Sequence, residues 1–143
     1  MMYYTVAFID KYSIAPLIEL DYKGKRIYAL LDSGSEQTLV DRKFIEEQGV
    51  STTESDETMT LTGFNGHRNL NVNTVHLDLI ATPGALDFPV DAQISDLSVI
   101  QNYFDKWTDS SVRVPLLIGS DTLSKIDATI DFEDKLFTWR EKN

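Results

Sequence analysis

The chain has 143 residues, with 13 Lys and Arg against 23 Asp and Glu, a formal net charge of −10, and no cysteine. The length suits one domain spanning 1–143, and 42% apolar against 25% charged residues excludes a disordered composition. The missing thiols exclude disulfides, thiolate zinc sites and a cysteine nucleophile. A pI near 4.5 argues against nucleic acid as a partner, and no apolar run is long enough to span a bilayer.

In chain order, most segments read as short strands. Tyr3 to Ile9 and Ile14 to Tyr22 are rich in β-branched and aromatic residues, and Lys23-Gly24 turns the chain into Arg26 to Leu31. Ala29-Leu30-Leu31 is apolar on both faces and is expected to run through the core. Asp41 to Gln48 reads as a short helix with an acidic N-cap and Gly49 as its stop, followed by a polar loop over Ser51 to Glu57. Thr58 to Phe64 and the strand after Asn65-Gly66 form a hairpin over about 58–82. Leu70 and Val72 lie in one phase and Val75, Leu77 and Leu79 in the other, so a bulge or twist is expected near Asn73-Thr74. Leu86 to Ile94 alternates cleanly, with Pro89 placed as on an edge strand. Asp96 to Trp107 is the strongest helix, with Leu97, Ile100, Phe104 and Trp107 on one face. Val112 to Ile118 reads as a buried strand. Ser120 or Asp121 caps a short helix to Ile126, and a hairpin around Glu133-Asp134 ends the chain. The count favours a mostly β architecture with two or three short helices.

The segment with chemical content is Ala29-Leu30-Leu31-Asp32-Ser33-Gly34-Ser35. An apolar strand delivers a carboxylate into a turn of small residues, where backbone N–H groups can approach it and orient it for acid–base work. The same tripeptide also closes ordinary β-turns, and taken alone Asp32-Ser33-Gly34 leaves both readings open. His67 and His76 lie on one strand, roughly 30 Å apart when extended, too far to share a metal. No cofactor motif is present, and neither a metal nor another cofactor is expected.

Around that turn the sequence resembles the retropepsin family of aspartic proteases, single-domain relatives of the pepsins. The resemblance is carried by Leu30-Leu31-Asp32-Ser33-Gly34, by Leu116-Leu117-Ile118-Gly119 with the helix after it, by Ala128 to Phe132, and by the glycine-containing hairpin Leu61 to Gly66. It implies a closed β-barrel of the acid protease fold, one lobe with two or three short helices, assembled as a symmetric homodimer. It also implies that Asp32 is catalytic, that Ser33, Gly34 and Ser35 support its loop, and that Gly63, Phe64, Asn65 and Gly66 form a flap over substrate. Ser33 would bond across the two-fold axis, and Ser35 would donate to the Asp32 carboxylate, with an acid-shifted activity optimum. Terminal strands would contribute to the dimer contact. The stretch from Gly34 to Gly119 is longer than in minimal members, and the excess falls in an insert of about 83–112 that contains a helix.

Chemistry fixes the stoichiometry. Peptide hydrolysis of this kind needs two carboxylates sharing one proton, and this chain has one Asp-Ser-Gly. A homodimeric endopeptidase acting on peptide or protein substrates is therefore the expectation. A catalytically silent dimerisation or peptide-binding module is the alternative. Met1-Met2-Tyr3-Tyr4 lacks the character of a secretion signal, which suggests a free-standing cytoplasmic chain.

Overall fold

The computed structural model describes residues 2–9, 15–50, 53–63, 66–82, 84–107 and 112–140. The barrel starts with a tight hairpin. β2 (Leu17–Tyr22) and β3 (Lys25–Leu31) pair from Tyr22↔Lys25 to Leu17↔Leu30. Lys23 and Gly24 both take positive φ, 49° and 84°, the geometry that matches the twist of a two-residue turn. Gly24 N–H is held by Asp21 Oδ1 at 2.8 Å.

β4 (Leu39–Asp41) leads directly into α1 (Arg42–Gln48), which stops at Gly49 in the left-handed region. Asp41 occupies the N-cap position, but its carboxylate does not cap the helix. Its Oδ1 instead accepts Leu97 N–H at 3.1 Å, so a tertiary donor outcompetes the local one. β5 (Thr53–Gly63) and β6 (Gly66–Ala81) form the expected hairpin, but β5 begins within the segment read as a loop. Backbone pairing of Thr53 and Glu54 with Thr74 and Asn73 extends it, and such a ladder requires no apolar side chains. β6 itself runs unbroken. The irregularity lies opposite, on β5 between Glu54 and Thr58, and the phase change on β6 marks a change of partner from β5 to β7 (Leu86–Ser95) at Thr74.

Pro89 sits on β7 where only β6 pairs with it, because β4 reaches β7 only at Gln93, Ile94 and Ser95. The missing N–H therefore breaks no second ladder. α2 (Ser98–Trp107) follows, with Ser98 N–H bonded to Asp96 Oδ1 at 2.9 Å, and that bond holds the Asp96 carboxyl below its usual range. β8 is confined to Leu116–Ile118. Residues 112–115 lie beside it without forming a full strand, because Gln101 of α2 takes two of their backbone groups. Its Nε2 donates to Val112 O at 2.7 Å, and its Oε1 accepts Val114 N–H at 2.9 Å.

Six strands close a barrel in the order β2-β3-β8-β4-β7-β6, and β6 returns to β2 through Leu20↔Ala81 and Asp21↔Ile80. Thr82 secures this seam, its hydroxyl donating to Glu19 Oε2 at 2.6 Å. β5 hangs outside the ring on β6. After α3 (Ser120–Lys125), β9 (Thr129–Asp131) and β10 (Leu136–Arg140) join β1 (Tyr3–Ala7) in a separate sheet ordered β1-β10-β9. The architecture is mostly β, and among the described residues no helix is long and apolar enough to cross a membrane.

The double-sided apolarity of β3 has a clear cause. Ile27, Ala29 and Leu31 point into the barrel core with Leu20, Leu77 and Val90. Tyr28 and Leu30 point outward and meet Phe104, Val112 and Val114, so the insert helix builds a second core behind the strand. Phe104 is fully buried there. Phe104→Ala is expected to cost about 3–5 kcal/mol in urea-induced unfolding; a loss under about 1 kcal/mol would show that α2 does not unfold with the barrel.

On the outer face of β6 and β7, His76 Nδ1 meets Asp91 at 2.8 Å and Nε2 meets Asp78 at 2.9 Å. Both ring nitrogens face carboxylates, which favours the doubly protonated imidazolium. Hydrogen bonds donated to Asp91 and, second, to Asp78 raise the His76 pKa above its ordinary 6.5. A raised folded-state pKa gives a contribution to stability that is complete below about pH 6.5 and is lost as pH climbs through the folded value. The melting-temperature gap between wild type and His76→Gln should therefore shrink from mildly acidic to alkaline pH. A gap independent of pH would rule the imidazolium out.

Candidate active site

Asp32 is the first residue past β3. Parallel pairing of Ala29, Leu30 and Leu31 with Leu116, Leu117 and Ile118 brings the ends of β3 and β8 side by side. Asp32 N–H continues that ladder onto Ile118 O at 2.9 Å. The chain then tightens, with Ser35 N–H on Asp32 O at 3.1 Å, and this turn aims Gly34 N–H at Asp32 Oδ1, 3.0 Å away. A Cβ at Gly34 would stand 3.2 Å from the same oxygen, so glycine lets the amide approach without a side chain pressing on the carboxylate. Asp32 is half-buried, Ser33 and Gly34 are exposed, and among the described residues Asp32 Oδ2 has no hydrogen-bond partner. One oxygen is thus oriented and the other left open, the arrangement a carboxylate needs to exchange protons with water or substrate.

The far end of the loop is clamped to the start of α3. Gly119 lies against the loop backbone so closely that a Cβ there would fall 2.3 Å from Gln37 O and 2.8 Å from Ser35 O. Ser120 N–H donates to Ser35 O at 2.7 Å, and Gly119 N–H donates to Thr38 Oγ1 at 3.1 Å. Thr38 is completely buried. Its hydroxyl donates to Asp121 Oδ1 at 2.7 Å and lies 2.6 Å from Thr122 Oγ1, and its N–H donates to Asp121 Oδ2 at 3.2 Å. On the remaining side Gln93 of β7 holds the loop, its N–H on Thr38 O at 2.9 Å and its Nε2 on Gln37 Oε1 at 2.8 Å.

The structure brings Asp32, Ser33, Gly34 and Ser35 together in this loop, with one changed role. Ser35 Oγ donates to Gln37 O at 2.8 Å rather than to the Asp32 carboxylate. The turn directs the hydroxyl along the loop, so Ser35 shapes the backbone and the carboxylate contact is left to Gly34 N–H. Gly63 and Gly66 close the β5–β6 hairpin as paired residues, whereas Phe64 and Asn65 lie outside the described residues. Thr38 and Gln93 were not singled out from the sequence, and Asp121 was read only as a possible helix cap. The available signal was a threonine opening the apolar pair Leu39-Val40, and an aspartate three residues past β8.

Removing the Asp121 carboxylate strands the buried Thr38 N–H and leaves Thr122 Oγ1 as the remaining acceptor for its hydroxyl. Asp121→Ala is expected to lower stability by about 1–3 kcal/mol and to speed hydrogen exchange at the Thr38 amide well beyond that of β2 amides. Unchanged protection at Thr38 would show that Asp121 does not hold the loop.

The sequence profile of a family described as aspartyl protease matches residues 18–122, from β2 through the start of α3. No match is found among curated proteins. Among solved structures the chain is similar to the crystal structure of the retroviral protease-like domain of Ddi1 from Leishmania major, at 14% identity and a TM-score of 0.49, covering 82% of this chain and 77% of that one. The family match spans both sides of the clamp, the Asp32 loop and the Gly119 turn. The chain belongs to the retropepsin-like aspartyl protease family.

Proposed function

We propose that the chain is an aspartic endopeptidase that works as a symmetric homodimer, pairing Asp32 of one subunit with Asp32 of the other. The observation that carries this reading is the isolated, half-buried Asp32 on a loop fixed at both ends, with one carboxylate oxygen bound to Gly34 N–H and the other open. A loop this constrained has little conformational freedom left to lose when substrate binds.

Two such carboxylates a hydrogen bond apart cannot both ionise, so one stays protonated. The ionised Asp32 takes a proton from water as that water attacks the scissile carbonyl carbon. The protonated partner gives its proton to the developing oxyanion. Collapse of the tetrahedral intermediate breaks the C–N bond, the proton taken from water is delivered to the departing amine, and one hydroxyl of the intermediate returns its proton to the partner carboxylate as the carbonyl re-forms. Ser33 meets its counterpart across the axis, a reading supported by its exposure on the loop. The β5–β6 hairpin that closes at the Gly63–Gly66 pair covers an extended peptide bound as a strand. The expected setting is cytoplasmic, with peptide or protein substrates and no nucleic acid or membrane partner.

The test is cleavage of a peptide library by the purified chain and by Asp32→Asn, which keeps the shape of the residue and removes the acid. Loss of at least about 10²–10⁴-fold in rate is expected. Cleavage that survives the substitution would sink the mechanism. Tight peptide binding without cleavage by either protein would leave the silent peptide-binding module as the function.

A further inference from the structure

We propose that the hollow between the β6–β7 face of the barrel and the β1–β10 strands is a separate binding site for an organic cation with an apolar body, its amine or guanidinium group held by Asp78 and Asp87. None of the residues lining it belongs to the Asp32 loop or to the 118–121 stretch that clamps the loop. The inference therefore stands apart from the protease reading.

The cavity holds about 320 Å³, at the lower end of the range for small-molecule sites. Its floor is made of packed rings. Trp139 of β10 meets Phe88 of β7 edge-on at 5.2 Å and stacks on Phe137 at 5.3 Å. Tyr4 of β1 meets Trp139 edge-on as well, at 5.6 Å. Phe88 and Trp139 are each only 2% exposed, so neither ring is free to swing out and fill the hollow. The walls are apolar and half-buried: Ile80 of β6, Pro89 of β7, and Ile126 after α3. Ile126 is fixed by Arg140 N–H, which donates to its carbonyl at 2.7 Å. Accessible hydrocarbon over a rigid floor is a site formed before any ligand arrives.

The charge at the mouth sets the sign of the ligand. Asp78 pairs with Pro89 and Ile80 with Asp87, so the two carboxylates are diagonal neighbours on one face, roughly 7–8 Å apart. Both residues are exposed. Asp78 Oδ1 is taken by His76 Nε2 at 2.9 Å, which leaves its second oxygen. The Asp87 carboxylate has no partner among the described residues. Arg140 of β10 is the one cation in the lining, and it is already engaged. Two carboxylates against one guanidinium, on a chain of net charge −10, make the mouth negative. A metal ion does not suit it, because among the described residues no three metal-ligating side chains converge and the walls are hydrocarbon. An organic cation satisfies both parts, with its charge between Asp78 and Asp87 and its body over Ile80 and Pro89.

Titration with phenethylamine, followed by amide and indole NMR shifts, tests this. Saturable shifts are expected at Ile80, Asp87, Phe88 and the Trp139 indole, with a Kd of about 1 mM or below, within reach of so small a probe. Asp87→Asn should raise the Kd at least about threefold, and the Asp78→Asn/Asp87→Asn double variant at least about tenfold. Ile80→Trp, which fills the hollow without altering its charge, should abolish the shifts while circular dichroism stays unchanged. Asp32→Asn should leave them as they are, which separates this site from the other exposed carboxylate. Phenethyl alcohol, the same body without the charge, should bind at least about tenfold more weakly. Tighter binding of a capped lysine than of phenethylamine supports a basic side chain of a peptide as the source of the cation, and the reverse order supports a free amine. Equal binding of the alcohol, preference for phenylpropionate, shifts that vanish in Asp32→Asn, an unchanged Kd in the double variant, or no shift with any probe overturns the proposal. Peptide cleavage measured alongside keeps the two readings distinct. Asp32-dependent cleavage without cation binding leaves the protease standing, and cation binding by a chain inert toward peptides leaves this site standing alone.

Discussion

At the centre of the molecule two backbone segments approach so closely that no side chain fits between them. Gly119 leaves no room for a Cβ against the carbonyls of Ser35 and Gln37, and the Thr38–Asp121 hydrogen bonds lock the same contact from the other side. The first residue of the loop, Asp32, is also bonded to this segment, through Ile118 O. Both ends of the carboxylate-bearing loop are thus referred to one short stretch, 118–121, which belongs to the other half of the chain. The order β3-β8-β4 across the barrel follows from it, since β8 must run between the strand that enters the loop and the strand that leaves it.

Burial on both sides reinforces that arrangement. From Ile27 to Leu31 β3 has the barrel core on its inner face and the α2 cluster on its outer face, so the end of the strand that leads into Asp32 meets little water. Gln101 closes the outer layer by bonding the backbone on either side of Arg113. Arg113 O in turn accepts Tyr28 N–H of β3 at 2.9 Å. The long segment between Thr82 and Val112 thereby serves as the back wall of the site, and through Gln93 it also sends a side chain to the Asp32 loop.

Features set by local chemistry were legible in the sequence. Asp32-Ser33-Gly34 after an apolar strand, Gly49 as a helix stop, and the positive-φ turn at Lys23-Gly24 depend on neighbours a few residues away. The alternation along β7 was readable because one face is buried and the other is not. What could not be read depends on partners distant in the chain. Thr38 and Asp121 are 83 positions apart, and neither looks unusual by itself. Asp41 was a sound N-cap candidate until Leu97 offered its N–H from a segment that only the fold brings near. Ser35 was assigned to the carboxylate because it lies close in sequence; the turn sent its hydroxyl to Gln37 O instead.

The change of partner along β6 has a mechanical consequence. Among the described residues β5 pairs with β6 alone, so the outer hairpin is a cantilever whose root is the position where β6 leaves β5 and joins β7. At that root Thr74 is paired with Gln93, the residue whose N–H and side chain hold Thr38 and Gln37 of the Asp32 loop. The Gln93 side-chain oxygen is buried without a partner among the described residues, so its amide is tethered to the loop through Nε2 alone. The root of the hairpin and the Asp32 loop are therefore joined through the same residue, Gln93, so a displacement of β6 at Thr74 is passed to the loop.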